Sequence, residues 1–220
     1  MGHIFARLTG FGLTLVPIWP YNFRRSPRTP DSVAVTHWAG EAAQTVTVTG
    51  AGEGPAVVLT GVERVDQVVD VLEGPDERVW RIETSPYSVK WPEGFEIDSP
   101  PAGDNSSPFL LWGPDRSLIY PQGPWNRDRI PPLTELAGPG QTILSQERGP
   151  DFDTVDLAYR HEGGDWRQSH HLVPFGDDRV LVITAQAPAT HAELTRQAAE
   201  TVARSVRVRP RESGAPVASS

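Results

Sequence analysis

Residues 180–185 constrain this chain more than any other stretch. In a strand they place Val180, Val182 and Thr184 on one face and Leu181, Ile183 and Ala185 on the other. A mostly β-branched run with no charged face has to be covered on both sides. Ala187-Pro188-Ala189 then breaks the strand. Thr190 with Glu193 three residues later fits a capping box, in which the hydroxyl accepts an amide of the first turn. Leu194, Ala198, Thr201 and Val202 follow at helical spacing, while Arg196, Glu200 and Arg204 fall on the opposite side, four apart and alternating in sign. Val206 and Val208 alternate with Arg207 and Arg209, the pattern of a short edge strand. On this reading Thr190→Ala costs about 1 kcal/mol.

Upstream, residues 154–161 and 166–175 alternate around Glu162-Gly163-Gly164-Asp165. Together with the buried strand they read as a three-stranded antiparallel meander. A turn centred on Gly163-Gly164 pairs His161 with Trp166, Tyr159 with Gln168, Leu157 with His170 and Val155 with Leu172, and sets Asp156 opposite His171. The face carrying Val155, Leu157, Leu172 and Val182 is then buried, with His170 at its end. Residues 33–38, 45–49, 56–60 and 79–83 read as strands. Residues 109–112 and 117–120 read as a hairpin around Gly113-Pro114-Asp115-Arg116. Val62, Val65, Val68, Val69 and Leu72 recur every three to four residues, the spacing of a helix. The expected division is an N-terminal extension and linker over 1–32, a small αβ module or elaboration of the main sheet over 33–83, a main domain over 84–209, and a disordered tail over 210–220.

The formal net charge of −8 argues against a general nucleic-acid binder, which needs a basic footprint. Residues 1–30 carry Arg7, Arg24, Arg25 and Arg28 without an acid, so the acidic balance lies in the rest of the chain. The apolar run 8–19 is interrupted by Thr9, Gly10, Gly12, Thr14 and Pro17 and is too short to span a bilayer. A tether or export signal there is the lesser reading, and a membrane role is not expected. Zero cysteines exclude disulfides and thiolate chemistry and lean towards a cytoplasmic location.

No phosphate loop, dinucleotide fingerprint or nucleophile elbow occurs, and no cofactor is expected. His170 and His171 are adjacent in a strand, point to opposite faces and cannot share an ion, so no metal site is expected. Asp156 opposite His171, with Ser169 on the same face, leaves a small hydrolase as an alternative. The aromatic residues form a stronger set. Trp112, Tyr120, Trp125, Tyr159 and Trp166 lie in or beside turns, where a large ring must pack or meet a partner. With Arg127 and His170 they are the candidate binding residues, and the segment 121–132 carrying Trp125 is the candidate interaction loop.

Tyr87-Ser88-Val89, Pro92, Gly94-Phe95-Glu96, the Gly113–Arg116 turn, the meander and the capped helix succeed one another in an order that resembles the PsbP-like family. That family includes an extrinsic photosystem subunit and a Ran-binding nuclear-import factor. The resemblance covers residues 84–209. It implies an α+β fold, an antiparallel β-sheet flanked by helices in an α/β/α sandwich, and a non-catalytic domain that binds a protein partner whose identity the sequence leaves unknown.

Overall fold

The computed structural model describes residues 5–50, 56–60 and 68–209, with the backbone alone for 56–60. Alternation of side chains sets which side of each strand is dry, and the strands collect into two antiparallel sheets. The larger holds eleven strands. Their order is β13 (Thr142–Arg148), β14 (Asp153–His161), β15 (Gly164–Phe175), β16 (Arg179–Pro188), β12 (Leu118–Asn126), β11 (Leu110–Trp112), β10 (Glu96–Asp98), β3 (Tyr21–Arg25), β4 (Ser32–Ala39), β5 (Ala42–Thr49) and β6 (Ala56–Thr60). The smaller holds six, in the order β17 (Arg207–Val208), β9 (Tyr87–Lys90), β8 (Arg81–Glu83), β1 (Arg7–Gly10), β2 (Leu13–Pro17) and β7 (Val69–Glu73). Among the described residues there is one α-helix, α1 (Ala192–Arg204).

The inner face of the large sheet is built from Phe23, Val33, Val35, Val46, Val48, Ile97, Leu111, Ile119, Leu181 and Ile183, all fully buried. Leu8, Leu15, Ile82, Val89 and Trp80 of the small-sheet side and Ala199, Val202 and Ala203 of α1 join them in one cluster. Arg81 ties helix to small sheet: its guanidinium donates to the Ser88 carbonyl (3.1 Å) and to the Ser205 carbonyl just past the end of α1 (2.7 Å). A cation at a helix C-terminus is the favourable polarity. On the opposite face of the large sheet a second cluster, Leu172, Val180 and Val182, lies under Ile130, Leu133 and Leu136.

The expected α/β/α sandwich is therefore overturned. The core is made of sheet against sheet with a single helix at one end, and no second helical layer exists among the described residues. One cause is visible at residues 69–73. The valine-rich spacing that reads as a helix belongs here to a strand paired with β2, Val71 opposite Leu15 and Val69 opposite Pro17, as β-branched side chains favour. The first part of that predicted helix, 62–67, and the tail 210–220 lie outside the described residues. A second cause is at the N-terminus. Residues expected to be extension and linker supply β1, β2 and β3, with Leu8, Leu15, Tyr21 and Phe23 fully buried.

The meander over 153–188 followed by a helix is present as read. Its register is shifted by two residues: His161 pairs with Gly164, Tyr159 with Trp166, Val155 with His170 and Thr154 with His171. Glu162 (φ 50°) and Gly163 (φ 78°) form the turn. A tight hairpin turn of this kind requires positive φ at both central positions, and the Glu162 carboxylate is held there by Arg116 at 2.7 Å. A two-residue slip preserves the faces, so Val155, Leu157, Leu172 and Val182 are buried as the alternation implies. The capping box is absent. A short 3-10 turn, Ala189–His191, leads into α1, and no side chain caps the helix. Glu193 instead accepts from Arg196 (3.0 Å) and Gln197 (2.7 Å). No described helix is long and apolar enough to cross a membrane.

Two substitutions test this arrangement in urea unfolding. Leu15→Ala is expected to cost about 2–5 kcal/mol, because a fully buried leucine leaves a cavity; an unchanged midpoint would return residues 7–17 to an extension. Thr190→Ala is expected to change stability by less than about 0.5 kcal/mol, the range for an exposed position without a cap.

Candidate functional site

The antiparallel register places the candidate residues. Tyr120, Thr184, His170 and Val155 lie directly across from one another on β12, β16, β15 and β14. Two residues along, Trp112, Leu118, Gln186, Gln168 and Leu157 make the next row. Beyond it stand Pro188, Trp166 and Tyr159. Opposed residues in such ladders share a face, so Trp112, Tyr120, Tyr159, Trp166 and His170 are all on the outer side of the large sheet, away from α1.

They are not equally available. Trp166 is only 6% exposed. Its ring meets His161 edge-on (5.3 Å), Tyr159 (6.2 Å) and the Arg116 guanidinium (5.7 Å). His170 Nδ1 lies 3.0 Å from the Thr184 hydroxyl, and burial pushes the imidazole pKa down. Tyr120 is hydrogen-bonded to the same threonine, and burial raises its phenol. Burial raises Tyr159 as well. These four residues close the end of the sheet on itself. Trp112, 37% exposed, remains open beside them.

Trp125 and Arg127 stand at the other end of the sheet. Trp125 pairs with Val180, whereas Trp166 pairs with Pro188, a separation along β16 of roughly 25 Å. The segment 121–132 is not one loop. β12 continues through it to Asn126, with a register irregularity between Gln122 and Trp125, and a 3-10 turn, Arg127–Arg129, follows. The Arg127 amide donates to the Asp178 carbonyl (2.8 Å), and its guanidinium lies 3.7 Å from the Asp153 carboxylate. Trp125 keeps 38% of its surface exposed. It borders a groove of about 470 Å3 with Pro86, Pro108 and Pro124 and with Thr84, Ser85 and Ser107. Pro124 directly precedes Trp125, whereas Pro86 and Pro108 come from two distant segments that no local pattern brings to it.

The hydrolase geometry does not form. Asp156 faces Ser169, not His171, and accepts the Ser145 hydroxyl at 2.7 Å. His171 Nδ1 lies 3.3 Å from the Thr154 hydroxyl, and Phe152 packs edge-on against its ring. Burial pushes the imidazole down to about 4. A base needs an orienting acid on its far nitrogen, and here a threonine occupies that place. Among the described residues no group of three or more His, Asp or Glu is placed to hold a metal ion.

No family model matches the chain, and no curated protein does. Solved structures give loose likenesses. LpqN, involved in cell envelope biogenesis of Mycobacterium tuberculosis, is 16% identical, with a TM-score of 0.30 over 56% of this chain and 83% of that one. The cyanobacterial PsbP of Synechocystis is 12% identical, with a TM-score of 0.30 over 57% of this chain and 88% of that one. The PsbP resemblance thus stands as a weak likeness, and neither structure carries an argument about what this chain does.

His171 makes a pH prediction. Its folded pKa lies below the ordinary 6.5, so the unfolded chain takes up the proton first and the native state loses stability as pH falls from 6.5 to about 4. The loss is on the order of 3 kcal/mol. An NMR titration is expected to show the His171 ring unprotonated at pH 5.5; a midpoint near 6.5 would remove the claim.

Proposed function

We propose that this chain is a non-enzymatic binding protein that takes a protein partner at the Trp125 end of the large sheet. One observation carries the reading: a tryptophan held 38% exposed at a strand end, on the rim of a groove walled by Pro86, Pro108 and Pro124. Leaving a large ring in water is unfavourable, and Trp beside rigid neighbours is the composition of interface anchors. Proline walls lose little conformational entropy on binding, and the hydroxyls of Thr84, Ser85 and Ser107 along the groove suit the backbone of an extended segment. Arg127 follows Trp125 by two residues, exposed and facing Asp153 rather than the groove.

The test separates binding from folding. Partners are captured from a native-host extract with the wild-type chain and identified, and their affinity for Trp125→Ala is measured beside its melting temperature. The variant is expected to lose about 2 kcal/mol or more of binding with its melting temperature nearly unchanged. Equal affinity, or a loss that follows unfolding alone, would assign Trp125 to packing.

A further inference from the structure

The second half of α1 packs closely on the sheets through Ala199, Val202 and Ala203. The first half buries only Thr195. Where it meets the end of β16, the chain supplies Ala185, Ala187, Ala189 and Ala192, side chains too short to fill the gap. A cleft of about 320 Å3 is left between α1 and strands β13–β16. That volume is at the small end of the roughly 300–1,000 Å3 typical of small-molecule sites. It lies on the inner face of the sheet, apart from the Trp125 groove.

The cleft has an apolar floor and charged walls. Arg196 is neutralised on its own helix by Glu193 (3.0 Å) and Glu200 (3.7 Å). Two other charges make no close ion pair, although Asp156 lies within electrostatic reach of Arg196. Asp156 accepts the Ser145 hydroxyl, and Arg167 donates to the Trp166 carbonyl at 3.3 Å. Neither makes an ion pair within 4.0 Å among the described residues. Asp156 faces Ser169, and Arg167 precedes Ser169 by two on β15. They are diagonal neighbours on one face of the β14–β15 pair. An anion and a cation on one wall of a cleft with an apolar lining match a ligand with one charge of each sign and an apolar body.

We propose that this cleft binds a small zwitterion with an apolar side chain, of amino-acid or dipeptide size: its carboxylate on Arg167, its ammonium on Asp156 and its hydrocarbon against Leu144, Ala189 and Ala192. The site is independent of the Trp125 groove and stands or falls separately from it. The test is an NMR titration of the full chain with L-leucine and with glycyl-leucine, using 4-methylpentanoate and 3-methylbutylamine as analogues with one charge removed. Binding near about 1 mM is expected, with shifts confined to residues 144–145, 156–157, 167–169 and 185–196. Each one-charge analogue is expected to bind at least about tenfold more weakly, as are Arg167→Gln and Asp156→Asn. The tighter of the two zwitterions identifies the size of the ligand. Absence of shifts at about 20 mM, where a millimolar site would be saturated, overturns the proposal. So does equal binding of the one-charge analogues, or wild-type affinity in the two variants. The analogue series uses the wild-type chain and decides the matter even if a variant does not fold.

Discussion

The structure depends on β16 being dry on both faces. Its inner side puts Leu181, Ile183 and Ala185 into the main cluster, and its outer side puts Val180 and Val182 under Ile130, Leu133 and Leu136. Full burial of one such side chain contributes about 1.5–3 kcal/mol. β16 therefore fixes where its neighbours can lie. β15 and then β14 and β13 build out from one edge, and β12 and the rest of the large sheet from the other. The helix that follows has to fold back over the inner side.

The two faces of the large sheet have different fates as it extends away from β16. The inner face stays apolar through β4 and β5 because the small sheet covers it. The outer face becomes polar, with Thr36 and Thr45 hydroxyls 2.9 Å apart across β4 and β5. Near β14–β16 it carries aromatics and histidine, satisfied by one another and by Thr184. A row of turn-borne aromatics thus divides in two. Most of it seals the end of a sheet, and Trp112 and Trp125, at opposite ends of β12's path, keep an open face.

Arg81 shows how the small sheet and the helix are held together. It is 3% exposed, and burial lowers its pKa while leaving it a cation. Its bonds to Ser88 and to the Ser205 carbonyl join β8, β9 and the end of α1. Removing one partner of a buried charge is costly because the other is left unpaired. Along the first half of α1 only Thr195 is buried, and the cleft opens there.

The sequence by itself determined the strands with strict alternation, the order hairpin–meander–helix, and the buried face of Val155, Leu157, Leu172 and Val182. These follow from side-chain periods of two and 3.6, which are local. It did not determine the layer that covers them. Residues 7–17 carry glycines and a proline that read as an interrupted extension, yet they pair with β8 and β7, whose hydrogen bonds are made across distances in sequence that no window contains. The hairpin register was legible in face but not in partner, because alternation has a period of two and a two-residue slip leaves every side chain on its own face. Of the candidate site, the aromatic types were legible. Which of them remain exposed was decided by tertiary structure alone, since a ring is a core residue or a contact according to what the rest of the chain packs against it.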